Sequence, residues 1–116
     1  MAIGTELVTD AVAAEASIQE MVRRIVSRFN PDRIILFGSR ARGSHAPDSD
    51  VDLAVIMPID GSKAKREIEI RLLLHDIPIP KDIVVITPEE MDRYRDVPGT
   101  LVKPVLRDGR LLYARA

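Results

Sequence analysis

The sequence predicts one small α/β domain spanning residues 1–116, a mixed β-sheet backed by helices. Three observations carry that expectation. Two apolar runs, Ile34-Ile35-Leu36-Phe37 and Leu53-Ala54-Val55-Ile56, are short, rich in β-branched residues and separated by a polar, turn-rich stretch, which is how two buried strands read. Segments of helical periodicity lie before and after them. The chain has 116 residues, 46% of them hydrophobic and 30% charged, which suffices for one core and leaves little for a second. Only 3% of residues are aromatic, so that core must be aliphatic.

The first element is a helix from Asp10 to Phe29. Ile18, Met21, Val22, Ile25, Val26 and Phe29 recur at three- and four-residue steps, as one helix face requires, and Arg23, Arg24 and Arg28 read as its solvated side. Asn30-Pro31-Asp32 stops it, because a residue before proline is pushed out of the helical region. The strand Ile34–Phe37 follows, and Gly38-Ser39 then opens a short helical turn through Arg42. The second strand is headed by Asp50 and Asp52, and Val51, Leu53 and Val55 alternate toward the helices.

Met57-Pro58-Ile59-Asp60-Gly61 breaks the chain. Ser62 then caps a helix running to about Asp76, with Ile68, Leu72 and Leu73 expected in the core. Ile77-Pro78-Ile79-Pro80 forces an extended connector that delivers Lys81-Asp82 to the head of a third strand, Ile83–Ile86. Thr87-Pro88-Glu89-Glu90 has the N-cap, first-turn proline and first-turn acids of a helix start, directed toward Asp96. Pro98-Gly99 ends that helix, Leu101–Leu106 forms another short one limited by Pro104, and Asp108-Gly109 turns into an edge strand, Arg110–Ala114.

Composition narrows the function classes. A formal net charge of -1 offers no electrostatic footprint for gripping nucleic acid or an anionic membrane. The absence of cysteine removes disulfides, thiolate zinc sites and cysteine nucleophiles. The N-terminal residues lack the basic and apolar regions of a signal peptide, and no stretch is long enough to span a bilayer, so the expected location is the cytoplasm.

The chemistry is expected in the stretch from Gly38 to Leu53. Because strand side chains alternate faces, Asp50 and Asp52 point the same way, and parallel carboxylates attract a cation. Hard divalent ions such as magnesium take one or two carboxylates together with phosphate oxygens, so the pair suits a magnesium–nucleotide site. Gly38 lets phosphate approach the backbone, and Ser39 offers a hydroxyl and an N–H. Arg40 and Arg42 are candidates to touch the phosphates or simply soluble surface. Ser49 is either a second-sphere partner of Asp50 or a turn residue. His45 and His75 have no zinc-motif spacing and read as exposed or capping residues, and Asp48 as a loop carboxylate.

Gly38-Ser39, ten residues, then Asp50-x-Asp52 resembles the signature of nucleotidyltransferases of the DNA polymerase beta superfamily. Four fixed positions at that spacing arise by accident about once per thousand chains of this size. The resemblance covers nearly the whole chain and implies a single polymerase beta palm-like domain. It further implies AMP transfer from ATP to an acceptor hydroxyl with release of pyrophosphate, two magnesium ions held by Asp50, Asp52 and Asp82, and phosphate binding by Gly38, Ser39 and Arg42. Asp82 is also the implied base.

The chain looks like the minimal nucleotidyltransferases, which lack the helical second domain used by aminoglycoside-modifying relatives. In that branch the partner is commonly a HEPN-domain toxin, neutralised by AMPylation of a tyrosine, so an antitoxin role is implied. A small-molecule nucleotidyltransferase needing a partner subunit, and a non-catalytic antitoxin acting by binding, are the alternatives. Acceptor identity, the number of AMP units, base preference and oligomeric state are not encoded in any recognisable pattern.

Overall fold

The computed structural model describes residues 2–43 and 49–116, with side chains from residue 12 onward in the first helix. The expectations for His45 and Asp48 lie outside the described residues. Helix α1 runs Ala2–Phe29, eight residues earlier than the apolar periodicity alone indicated. Asn30 ends it at φ 47°, a left-handed conformation that asparagine tolerates, with its N–H donating to the Val26 carbonyl at 3.0 Å. Strand β1 (Arg33–Phe37), the one-turn helix α2 (Ser39–Arg42) and strand β2 (Val51–Ile56) follow. Then come α3 (Lys63–Leu73), β3 (Lys81–Ile86), α4 (Pro88–Tyr94), α5 (Val102–Asp108) and β4 (Arg110–Ala114).

The sheet order is β3-β2-β1-β4. β1 pairs antiparallel with β2 and with β4, while β2 and β3 are parallel and joined across α3, so the sheet is mixed and β4 is an edge as expected. Strand alternation divides the core of this single domain into two layers, one on each face of the sheet. Ile34, Leu36, Val51, Leu53, Val55, Ile83 and Val85 meet Ile18, Met21 and Ile25 of α1 and Ile70 of α3 on one face. Ile35, Phe37, Ala54, Ile56 and Ile86 meet Met91 of α4 and Val102 and Val105 of α5 on the other. Each fully buried aliphatic side chain contributes roughly 1.5–3 kcal/mol, so both faces hold the sheet. The face that carries Asp52 is therefore polar only at one end, because α4 and α5 cover the rest.

Caps follow the sequence. The Ser62 side chain accepts from the Lys65 N–H at 3.2 Å, and Thr87 and Glu90 form a reciprocal capping box.

The inward face of α3 differs from the expectation. Ile70 and Leu74 are fully buried, Leu73 is half-buried, and Ile68 and Leu72 are 54% and 65% exposed. The stripe that faces the sheet is 67, 70, 71 and 74, in which Ile70 and Leu74 are buried, Glu67 is half-buried and Arg71 is exposed. Glu67 accepts the Val85 N–H at 2.9 Å and Arg71 donates to the Ile83 carbonyl at 3.2 Å, so both satisfy backbone groups along the open edge of β3. That requirement turns the helix away from the phase its apolar residues suggest.

Arg24 is also not a solvated residue. It donates to the Leu73 carbonyl at 3.1 Å and to Asp76 at 2.6 Å, closing α1 onto the end of α3, which stops at Leu73 rather than Asp76.

Candidate active site

Antiparallel pairing of β1 with β2 and parallel pairing of β2 with β3 bring three chain segments to one end of the sheet. These are the C-terminal end of β1 and the N-terminal ends of β2 and β3. Asp52 lies opposite Phe37 on one side and Asp82 on the other. Neighbouring strands lie about 4.8 Å apart, so the Asp52 and Asp82 side chains emerge together. By alternation both belong to the face covered by α4 and α5, just beyond the apolar residues Ala54, Val84 and Ile86. Asp50 is exposed and sits immediately before β2, which begins at Val51.

Gly38 turns the chain from β1 into α2 at φ 76° and ψ -157°, a region open essentially to glycine alone. A Cβ there would overlap the Asp52 carboxylate oxygen and lie 3.2 Å from its Cγ. The missing side chain is what lets the β1–α2 backbone close onto the carboxylate. Ser39 heads α2, where the first N–H groups have no carbonyl within the helix to serve. Gly43 ends that turn at φ 75°. Arg40 donates through Nε to the Ser49 carbonyl at 3.0 Å, so this arginine ties the two rims of the signature loop together. Ser49 is thus engaged through its backbone.

The electrostatics join the carboxylates into one group. Burial pushes the Asp52 carboxyl above the usual carboxylate range, and the charges of Asp82 and Asp50 push it further, against a smaller downward pull from Arg42. Arg42 is exposed, and the Asp108 carboxyl, held low chiefly by its hydrogen bond from Arg107, also feels the Arg42 charge. A cation relieves such mutual repulsion, and Asp50 and Asp52 supply the hard oxygen donors that magnesium prefers. Asp82 is half exposed, and its Oδ1 accepts from Arg71 at 3.0 Å. Among the described residues no three carboxylate or imidazole side chains lie close enough to share one metal ion. The donor chemistry of Asp50 and Asp52 fits magnesium, while one oxygen of Asp82 is engaged by its guanidinium partner.

Arg71 is the residue near the carboxylates that sequence reading missed. Its only signal was its place four residues after Glu67 on a helix preceding the third strand, which ordinary surface charge pairs share. His75 is exposed and bonds through Nδ1 to the Leu72 carbonyl at 2.9 Å, in keeping with a capping role. A cleft of about 610 Å³ between α1 and β4 is lined mostly by apolar side chains such as Val22, Val26 and Leu112. It lies at the opposite edge of the sheet from β3 and contains none of the signature residues. Among the described residues no helix is long and apolar enough to cross a membrane.

Known proteins share both sequence and fold with this chain. A protein of Methanocaldococcus jannaschii named as a protein adenylyltransferase is 29% identical over 101 residues, covering 85% of this chain and 97% of that one. The crystal structure of a protein from Sulfolobus solfataricus named as a nucleotidyltransferase superposes with a TM-score of 0.61 at 25% identity, covering 89% of this chain and 87% of that one. A mutant of the toxin–antitoxin pair MntA–HpeT has the same fold, with a TM-score of 0.61 at 19% identity, covering 84% and 73%. So does a toxin–antitoxin structure with AMP-PNP, at 0.54 and 21% identity, covering 87% and 73%. The family model described as the nucleotidyltransferase domain matches residues 18–111, from the core-facing part of α1 into β4, and the chain belongs to that family.

Proposed function

We propose that this protein transfers AMP from ATP to a hydroxyl of a partner protein with release of pyrophosphate, and that the acceptor is a tyrosine of a HEPN-type toxin, which the modification silences. The observation that carries this reading is the seating of Gly38 against Asp52 at the sheet end that also bears Asp50 and Asp82. A phosphate-approach point and a cation-attracting cluster there adjoin. Support for a protein acceptor comes from the relative named as a protein adenylyltransferase, which matches over nearly its full length. Support for a toxin partner comes from the toxin–antitoxin structures that share the fold, one of which contains AMP-PNP.

In this reading Asp50 and Asp52 would hold two magnesium ions, with Asp82 as a further ligand. Magnesium bound there would neutralise the triphosphate and lower the pKa of the acceptor hydroxyl. Gly38 and Ser39 seat the phosphates through backbone N–H groups and the serine hydroxyl, and Arg42 meets their outer oxygens. The acceptor oxygen bonds to the α-phosphorus in line with the bridging oxygen to the β-phosphate. That oxygen departs with its electron pair as pyrophosphate, and the hydroxyl proton passes to the Asp82 carboxylate. Holding acceptor and α-phosphate in register is a large part of the rate gain, and the partner protein supplies the acceptor's half of that orientation.

The test is intact-mass spectrometry of this protein with ATP, magnesium and a HEPN-type helical protein from a neighbouring gene. AMP is expected on the neighbour, dependent on Asp50, Asp52 and Asp82. Transfer to an aminoglycoside at a comparable rate would replace this reading with a small-molecule enzyme. Equal silencing of the neighbour by the Asp50→Asn protein would replace it with a binding antitoxin.

A further inference from the structure

At the carboxylate end of the sheet Arg71 donates to Asp82 from the outer side of β3. Along β3 the Ile83 carbonyl and the Val85 N–H are served by side chains of α3, so they point to the open edge of the sheet and away from β2. Arg71 stands on that outer side. Its Nη2 reaches both the Ile83 carbonyl at 3.2 Å and Asp82 Oδ1 at 3.0 Å. Asp52 lies on the inner side, in register with Asp82 on β2, and the Asp82 charge is felt there. The Asp82 carboxylate is thus placed between a guanidinium at the sheet edge and the carboxylate group at the sheet centre. Both members of the ion pair are about half exposed, 46% and 54%, so solvent screens the contact and makes it weak enough to exchange.

We propose that Arg71 is a positioning residue for the third carboxylate: it draws Asp82 to the outer edge of β3 and must yield it before Asp82 joins Asp50 and Asp52 around a divalent ion. The inference rests on the metal-site reading given above. Arg71 competes with the ion for one carboxylate, so its removal strengthens divalent binding, and does so only while Asp82 is present. Glu67 provides the control. It braces the same strand edge through Val85 and makes no contact with Asp82, so a merely structural role for Arg71 would be mimicked by its loss.

The experiment is a Mn2+ titration of the full-length protein followed by electron paramagnetic resonance, with a non-hydrolysable ATP analogue present, on a double-mutant cycle. Arg71→Gln is expected to lower the Mn2+ dissociation constant about twofold to fivefold, the range for a half-exposed ion pair. In an Asp82→Asn background the same substitution is expected to change nothing, and Glu67→Gln alone is expected to leave the constant where it was. Melting curves on every variant confirm folding, and Arg71→Lys serves as a second probe that retains the charge and should tighten binding less than Arg71→Gln. An unchanged constant in Arg71→Gln, or the same tightening without Asp82, overturns the inference. Mn2+ binding that survives both Asp50→Asn and Asp52→Asn overturns the metal-site reading itself, a result distinct from either.

Discussion

Replacing Gly38 with alanine separates the two things this glycine does, and Gly43 supplies the comparison. Both have positive φ, 76° and 75°, so both substitutions force a side chain into unfavourable backbone geometry. At Gly43 the conformation is left-handed helical, and a Cβ meets nothing within 4 Å. Strain alone should then cost about 1–2 kcal/mol. At Gly38, with ψ at -157°, the conformation is one that only glycine readily takes, and the strain is about 1–3 kcal/mol. The new Cβ also overlaps the Asp52 carboxylate, which must swing away or push the β1–α2 turn off it. Both variants should melt lower, by about 4 °C for each kcal/mol in a domain of this size. Only Gly38→Ala should lose nucleotide: calorimetric titration with magnesium and a non-hydrolysable ATP analogue should weaken at least about tenfold, the equivalent of one charge-assisted contact. Gly43→Ala should titrate like the parent protein. Equal nucleotide affinity in the two variants would refute the argument that closeness of Gly38 to Asp52 builds the site.

Asp52→Asn should abolish AMP transfer and melt at or above the parent temperature at pH 7. The folded-state pKa of Asp52 is raised, so ionisation opposes folding, and the parent should gain stability as pH falls through that raised pKa while the variant does not. A variant that melts clearly lower at neutral pH would contradict the burial and repulsion assigned to the Asp52 carboxylate. Asp76 has the opposite sign: the hydrogen bond from Arg24 holds its carboxyl at about 2, so its contribution is present above the ordinary aspartate range and disappears as pH falls toward 2. The melting difference between the parent and Asp76→Asn should therefore shrink over that window and persist at pH 7. Leu74→Ala should cost about 2–5 kcal/mol in urea denaturation, whereas Leu72→Ala should stay within about 0.5 kcal/mol, and a reversal would restore the helix phase suggested by apolar periodicity. Ser39→Ala should weaken nucleotide binding less than Gly38→Val, measured by the same titration, because one loses a hydrogen bond and the other blocks the backbone.

Local chemistry made much of this protein legible from its residues in order. The β-branched runs at Ile34 and Leu53, the Ser62 and Thr87 caps and the Asn30-Pro31 stop act over a few residues, and each falls where local physics puts it, whereas Asp108-Gly109, expected as a turn, is the end of α5 followed by an extended glycine. The spacing from Gly38-Ser39 to Asp50 and Asp52, with Asp82 heading another strand, already named the residues worth examining. Tertiary structure decided what those residues face. No periodicity reveals that Gly38 closes on Asp52, since the contact requires β1 and β2 to pair in one particular register. The phase of α3 escaped the sequence because half of its inward stripe is charged: Glu67 and Arg71 are turned in by unpaired backbone groups on the edge of β3, a demand that exists only once the sheet is assembled. For the same reason Arg24 looked like solvated surface until Leu73 and Asp76 were brought to it. Burial of apolar side chains writes itself into sequence as a period, whereas a charged side chain that answers a distant backbone group leaves no local trace.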